Sequence, residues 1–88
     1  MIQRRLRINA DDGLQSRAAA LLVQVAGKFS SSVWLEQGNK RVNAKSIMGI
    51  LSLRLKRGDS LLLVASGEDE EAAAKAITEL IEKGETAL

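Results

Sequence analysis

One segment of this chain, residues 13–17, combines residue types that suit the binding of an anion at the start of a helix. Gly13 permits a tight turn, Ser16 can cap the helix, and Arg17 falls in the first helical turn. Position 15 holds glutamine, whose amide nitrogen has a delocalised lone pair and is not a nucleophile. The chain has no histidine and no cysteine, so it lacks the usual side chains for phosphoryl relay, thiol chemistry and imidazole metal binding.

A second helix start is predicted at Ser46, within the sequence Asn43-Ala44-Lys45-Ser46-Ile47-Met48-Gly49. Serine is a common N-cap, because its hydroxyl accepts a hydrogen bond from the second or third helical amide. A phosphate there would add about two negative charges at the positive end of the helix, so it could be held without refolding the domain. Ile47, Met48 and Leu51 predict an apolar patch beside Ser46, because only one of Ile47 and Met48 can easily face inward on so short a helix.

The composition indicates one folded domain that covers residues 1–88. The 88 residues are 45% hydrophobic and 27% charged, and the core must consist mainly of Leu, Ile, Val and Ala, because only one Trp and one Phe are present. The first residues lack the apolar region of a signal peptide, and no apolar run approaches the length of a membrane span. We therefore expect a cytoplasmic protein that does not bind membranes.

Charge is distributed unevenly along the chain. Residues 1–30 hold five basic and two acidic side chains, residues 31–60 hold six and two, and residues 61–88 hold two and seven. A basic interaction face in the first two thirds would explain this pattern, but so would a solvated mixed surface. Direct nucleic-acid binding is not expected, because the chain lacks both stacking aromatics and a strongly basic helix. No catalytic constellation, metal site or cofactor motif can be assembled, which indicates a protein that is not an enzyme.

The periodicity of apolar residues predicts seven elements in the order β-α-β-β-α-β-α. The predicted strands are residues 2–8, 33–35, 40–43 and 61–65. The predicted helices are residues 16–27, 46–53 and 68–83, the last with the acidic run 68–71 at its positive N-terminal end. The helical spacing of the first helix comes from the apolar positions Ala19, Leu22, Val23 and Ala26, and that of the second from Ile47, Ile50 and Leu51. Gly27 and Gly84 mark the ends of the first and last helices.

These elements predict an α+β fold, an open-faced two-layer β-sandwich with a four-stranded antiparallel sheet and three helices on one face. The strand at 61–65 is apolar on both faces and should be central. Trp34 alternates with Val33 and Leu35, so it should lie on the open face. There it would cover the outer apolar side chains of strand 61–65; the other interpretation is a contact with a partner or a second copy of the chain.

The element order and three segments resemble the HPr family, the histidine-containing phosphocarriers of the bacterial sugar phosphotransferase system. The segments are Gly13 to Ala19, Val42 to Gly49 and Gly67 to Glu70. The second is similar to the regulatory serine site of HPr proteins from Gram-positive bacteria. The first departs from the family, which has histidine where Gln15 stands and usually proline where Ala18 stands. Glutamine at this position is a feature of the Crh subgroup, the HPr-like proteins of catabolite repression.

The resemblance implies a regulatory phosphoprotein. An HPr kinase/phosphorylase would modify Ser46, and the modified form would act as corepressor of a CcpA-type transcriptional repressor in carbon catabolite repression. Gln15, Ser16 and Arg17 would be a degenerate phosphocarrier site that no longer accepts a phosphoryl group. Arg17, Lys45, Ile47, Met48 and Leu51 would contact the partner.

Two other functions stay open from the sequence. A divergent phosphocarrier would take phosphate from phosphoenolpyruvate through Enzyme I, although the missing histidine counts strongly against it. A small α/β module that binds a ligand or RNA has a similar element order, but the chain shows neither a Gly-rich phosphate loop nor stacking aromatics. Homodimer formation is also left open.

Overall fold

The computed structural model describes residues 1–11 and 13–83, and for Ser16 the backbone only. In this part of the chain the elements follow the predicted order. The strands are β1 (Ile2–Arg7), β2 (Ser32–Gln37), β3 (Lys40–Asn43) and β4 (Ser60–Ser66), and the helices are α1 (Ser16–Gly27), α2 (Ile47–Ser52) and α3 (Glu70–Lys83). The predicted stop at Gly84 lies outside the described residues. Among the helices described, none combines the length and the hydrophobicity needed to cross a bilayer.

The four strands form one antiparallel sheet in the order β1-β4-β2-β3. β4 pairs with both β1 and β2, which confirms the central position predicted from its two-sided apolar character. β1 ends at Arg7, one residue earlier than predicted, because the amide of Ile8 leaves the ladder and donates to the carbonyl of Asp59. β2 is longer than predicted, because its C-terminal half pairs with β3 across the two-residue Gly38–Asn39 turn.

The core lies between one face of the sheet and the helices, as the predicted fold class requires. Alternate strand residues point inward and are buried: Leu6, Val33, Leu35, Leu61, Leu63 and Ala65. The buried positions of α1 are Ala19, Leu22, Val25 and Ala26. Of the predicted apolar positions, Val23 is partly buried and packs at the edge of the buried stripe, which also contains Val25.

The inward face of α2 differs from the prediction. Ile50 is fully buried, but Ile47 is 37% exposed and Met48 is 73% exposed, so neither of the first two residues faces the core. The helix approaches β3 through Gly49, where a β-carbon would lie only 3.2 Å from the Cβ of Val42. With about 100° between successive residues, an inward face that contains Gly49 and Ile50 places Ile47 and Met48 toward solvent.

The start of α3 is fastened to the loop that follows α1. Asp69 accepts hydrogen bonds from the amides of Ser30 (3.0 Å) and Ser31 (2.9 Å) and from the hydroxyl of Ser31. The Ser31 hydroxyl, followed by the Ser30 amide, lowers the pKa of Asp69 from 3.8 to about 2. The acidic run at 68–71 therefore not only places negative charge at the helix start, as predicted, but also holds the loop after α1 through Asp69. Glu70 and Glu71 occupy the first turn, but the Asp69 side chain bridges two elements.

The other face of the sheet is open, and Trp34 lies on it, as the alternation with Val33 and Leu35 predicts. Trp34 stands directly opposite Val64 in the register of β2 and β4. Val64 is only 3% exposed although it lies outside the main core cluster. Arg41 covers the tryptophan ring at 4.8 Å from its centroid. This geometry supports the interpretation of Trp34 as a cover for the outer side of β4.

Candidate functional site

The start of α1 rests on the backbone of residues 55–56. Gly13 has a φ of +65°, and a β-carbon there would overlap the carbonyl oxygen of Leu55 and lie 2.8 Å from the Cα of Lys56. The amide of Leu14 donates to the same Leu55 carbonyl at 3.0 Å. A glycine is therefore required at position 13, both for the left-handed backbone and for the close approach.

Gln15, and not Ser16, is the N-cap of α1. Its backbone is extended (φ −99°, ψ 177°), its carbonyl accepts from the amide of Ala19, and Ser16 is the first helical residue. The expectation that Ser16 caps the helix is therefore wrong. The Gln15 side chain makes no capping hydrogen bond; its Nε2 donates to the carbonyl of Leu55 at 3.3 Å. The amide group thus lies near the helix start, as predicted, but is directed at the protein backbone.

Arg17 lies in the first turn of α1, as the sequence predicts, and its side chain is exposed. It lines a groove between α1, the loop after β1 and the end of α3, together with Asp11 and Lys83. No ion pair to Arg17 is found among the residues that the structure describes. The guanidinium is therefore available to an anion from solvent or from a partner.

Ser46 is the N-cap of α2, as predicted. Its backbone is extended (φ −113°, ψ 114°), and its Oγ accepts a hydrogen bond from the amide of Gly49 at 3.1 Å. Helix geometry leaves the first two amides of α2, those of Ile47 and Met48, without carbonyl partners inside the helix. A half-buried hydroxyl at this position has helical amide donors on one side and solvent on the other.

The residues around Ser46 divide into an apolar patch and a lysine with a structural contact. Ile47 and Met48 are exposed and Leu51 is partly buried, so the three side chains provide apolar surface on α2. The Nζ of Lys45 donates to the carbonyl of Phe29 at 2.8 Å. Lys45 therefore ties the Ser46 loop to Phe29, two residues after the end of α1.

The predicted site residues fall into two groups at opposite ends of α2. Gln15 contacts Leu55, which follows the C-terminal end of that helix, whereas Ser46 begins it. A six-residue helix separates these ends by about 9 Å along its axis. Arg17 belongs to the first group, and Lys45, Ile47 and Met48 to the second.

Sequence reasoning missed two residues on which this arrangement depends. The carbonyl of Leu55 accepts hydrogen bonds from the Leu14 amide and from Nε2 of Gln15. The sequence around Leu55 contains no pattern that predicts this contact. Gly49 appears in the sequence only as a residue that weakens a helix, but it lets α2 approach Val42 and sets which side chains are exposed. A glycine inside a predicted helix is a usable signal of close backbone approach.

No group of three or more His, Cys, Asp or Glu side chains arranged to hold a metal ion occurs within residues 1–11 and 13–83. In the same ranges, the carboxylates whose pKa is lowered are Asp69 and Glu70, both at the start of α3. For Glu70 the first cause is a hydrogen bond from the N-terminal ammonium of Met1, which lies 2.9 Å from Oε2. Both carboxylates are engaged in contacts that fasten the fold.

Comparison with known proteins identifies the class of protein that this fold and these two helix starts define. The family model for the phosphorylation site of the HPr component of the phosphotransferase system matches residues 2–83. The chain belongs to the HPr family.

The proteins that it resembles include both Crh and HPr proteins. The chain is 43% identical over 83 residues to the HPr-like protein Crh of Bacillus subtilis, which covers 94% of this chain and 98% of that protein. The crystal structure of HPr-C-His from Thermoanaerobacter tengcongensis is 52% identical, with a TM-score of 0.91 over 97% of this chain and 98% of that one. A crystal structure of Bacillus subtilis Crh, described as a domain-swapped dimer, is 46% identical, with a TM-score of 0.72 over 90% of this chain and 91% of the other. The resemblance to the HPr family and to Crh is confirmed.

Proposed function

We propose that this chain is a regulatory HPr-like protein that is phosphorylated on Ser46 and does not relay phosphoryl groups. An HPr kinase/phosphorylase would carry out the modification. The modified form would bind a CcpA-type repressor as corepressor in carbon catabolite repression. The observation that carries the proposal is the position of Ser46, an N-cap hydroxyl directly followed by the exposed side chains of Ile47 and Met48.

The geometry of α2 supports phosphorylation at Ser46 without a change of fold. The Oγ is half-buried at the positive end of the helix, and the amides of the first turn point in its direction. A phosphate would exchange the single hydrogen bond from Gly49 for charge-assisted hydrogen bonds from these amides. Serines 30 and 31 differ, because their amides and the Ser31 hydroxyl are engaged by Asp69.

The chemistry of Gln15 supports the loss of phosphoryl relay. Relay requires a ring nitrogen that forms a labile bond to phosphorus, and a carboxamide nitrogen does not provide it. In addition, Nε2 of Gln15 is directed at the Leu55 carbonyl. The 43% identity to Crh supports the same assignment.

The partner surface that we propose has an apolar and a basic part. Met48, Ile47 and Leu51 would supply the apolar contact, and Arg17 a bidentate contact to a carboxylate or phosphate of the complex. Lys45 would act mainly by holding the Ser46 loop through Phe29, since its ammonium already donates to that carbonyl.

The proposal includes further properties that follow from membership in the HPr family and from the residue inventory. The chain would be a single HPr-like domain, cytoplasmic, without a cofactor or metal and without enzymatic activity of its own. It would contact neither nucleic acid nor membrane directly. Association with a second copy is supported by the dimeric Crh structure among its relatives.

The first test is treatment of the protein with an HPr kinase and ATP, followed by intact-mass measurement. One phosphate per chain is expected for the unmodified sequence and none for Ser46→Ala. Ser52→Ala is the matched control, because Ser52 is exposed on the same short helix and its hydroxyl donates only to the Gly49 carbonyl. Stoichiometric labelling of Ser46→Ala would remove the assigned site.

The second test is repressor binding by calorimetry, with the phosphorylated and the unmodified protein compared. Binding should depend on the phosphate, and Met48→Ala and Arg17→Ala should weaken it. Arg5→Ala, on the edge strand β1, is the control for loss of an exposed arginine elsewhere. Equal affinity of the two forms would defeat the corepressor role, and full affinity of both variants would remove the proposed surface.

A further inference from the structure

A groove of about 400 Å³ separates α1 from the end of α3. The loop that follows β1 also lines it, and neither Gln15 nor Ser46 is among its described lining residues. Its lining residues are Asn9, Ala10, Asp11, Arg17, Ala18, Leu21, Leu80 and Lys83. The volume is at the lower end of the range for sites that hold small organic molecules.

The described lining of the groove combines two cations from different helices with several apolar side chains. Arg17 comes from the first turn of α1, and Lys83 from the last turn of α3. Ala18, Leu21 and Leu80, all apolar, also line the groove. The groove therefore offers both positive charge and apolar contact.

The one described carboxylate in the lining is already paired. Oδ1 of Asp11 accepts from Nη1 of Arg57 at 3.1 Å, and Arg57 does not line the groove. Among the described lining residues, the charge left facing the groove is thus that of Arg17 and Lys83. An anion that entered would meet two cations and a carboxylate whose charge is balanced from outside.

We propose that this groove binds a small phosphate monoester. A phosphate monoester carries about two negative charges at neutral pH, which matches the two cations. The planar guanidinium of Arg17 can contact two of its oxygens, and the Lys83 ammonium a third. The organic part of the ligand lies on Ala18, Leu21 and Leu80.

This binding goes beyond the proposed function and does not depend on it, because Ser46 takes no part in the groove. Lys83 separates the two proposals, since it belongs to the groove and not to the partner surface on α2. Lys83→Gln should therefore weaken phosphate-monoester binding and leave kinase labelling of Ser46 unchanged.

The experiment is a titration of the full, unphosphorylated chain with phenyl phosphate, followed by amide NMR. Saturable shifts are expected at Ala10, Ala18, Leu21 and Leu80. Inorganic phosphate and phenol, titrated separately, show how much the phosphate group and the ring of phenyl phosphate each contribute to affinity. Each should bind more weakly than phenyl phosphate. Shifts that do not saturate or that map away from the groove overturn the proposal, as does inorganic phosphate that binds as tightly as phenyl phosphate.

Charge variants complete the test. Arg17→Gln and Lys83→Gln should each weaken phenyl phosphate binding about two- to fivefold, the range expected for an exposed ionic contact. The controls are Arg5→Gln on β1 and Lys75→Gln, an exposed lysine on α3, and both should keep full affinity. If the controls weaken binding as much as the groove variants, the attraction is one of net charge and the site does not exist.

Discussion

The starts of α1 and α2 have the same backbone form but differ in the side chain placed there. Each helix begins after an extended N-cap residue, Gln15 in one and Ser46 in the other. Ser46 uses its side chain to cap its own helix through Gly49. Gln15 leaves its helix uncapped and contacts the distant Leu55 carbonyl. The start of α2 therefore presents a serine hydroxyl that caps its helix, and the start of α1 presents a carboxamide that does not.

This difference shows which features of a site are held by the fold and which by one side chain. At the α1 start, Gly13 and Leu14 fix the backbone against residues 55–56 whatever side chain stands at position 15. At the α2 start, the serine hydroxyl is itself part of the helix. A change of the side chain at position 15 therefore leaves this backbone arrangement in place, whereas Ser46 serves both the fold and the proposed chemistry.

The largest effect, a gain of phosphate uptake, is expected when histidine replaces Gln15 at the start of α1. The unmodified protein should take no phosphate from Enzyme I and phosphoenolpyruvate. Gln15→His should acquire measurable labelling, because the turn at Gly13 and the exposed Arg17 are already in place. Labelling would be read by intact mass at low and high pH, since a phosphohistidine is labile to acid.

The control for this change is Gln15→Asn, which keeps the amide and should remain unlabelled. A Gln15→His protein that folds but takes no phosphate would mean that Ala18 or the wider surface has diverged too far. Labelling of the unmodified sequence would contradict the proposed loss of relay.

Among substitutions that add one methyl group at the start of α1, Gly13→Ala should destabilise the protein most. The new β-carbon would overlap the Leu55 carbonyl and would force alanine into a left-handed backbone. Strain and overpacking together should cost about 2–4 kcal/mol in the free energy of unfolding, measured by urea denaturation. Gly38→Ala is the matched control: its φ is +60°, but nothing lies within 4 Å of the new carbon, so about 1 kcal/mol is expected. Equal losses would show that close packing at Leu55 does not matter.

The start of α3 supplies a third case, in which a carboxylate fastens two elements and makes stability depend on pH. The folded pKa of Asp69 is about 2, below its ordinary value of 3.8, so folding favours the ionised form. Its contribution is therefore complete above about pH 4 and is lost as the pH falls through 2. Asp69→Asn should lower the Tm at pH 6 and converge with the unmodified protein near pH 2. A constant difference over that range would show that the carboxylate charge is not involved.

The fold could be predicted from the sequence because its apolar periods and turn residues are local signals. The element order follows from the period of the apolar residues, the central β4 from its apolar residues on both faces, and the outward Trp34 from alternation along its strand. The errors occur where two elements meet. The rotation of α2, which exposes Ile47, is set by the approach of Gly49 to Val42, and no single-element pattern contains that distance.

The candidate site was predictable in part for the same reason. The prediction that Ser46 is an N-cap uses only the residues of its own helix, and it is confirmed. Ser16 as an N-cap was wrong by one position, because the helix boundary at Gln15 is set by the contact of Gly13 and Leu14 with Leu55, some 40 residues away. The groove that Arg17 and Lys83 share joins opposite ends of the chain and has no sequence signal.

The smallest expected effects are losses of unfolding free energy when the N-cap side chain of α1 or of α2 is truncated to alanine. Ser46→Ala removes the acceptor for the Gly49 amide and should cost about 1 kcal/mol in the free energy of unfolding of the unphosphorylated protein. Gln15→Ala should cost about 0.5 kcal/mol or less, because no cap is lost and the Leu55 carbonyl keeps its hydrogen bond from Leu14. Urea denaturation with a shared slope for all variants would resolve the difference. Ser46→Gly, which tolerates an N-cap position better than alanine, should recover most of the loss. If Gln15→Ala lowers the free energy of unfolding as much as Ser46→Ala does, the amide of Gln15 stabilises the fold in its own right. The glutamine would then have a structural role that is independent of any phosphocarrier site.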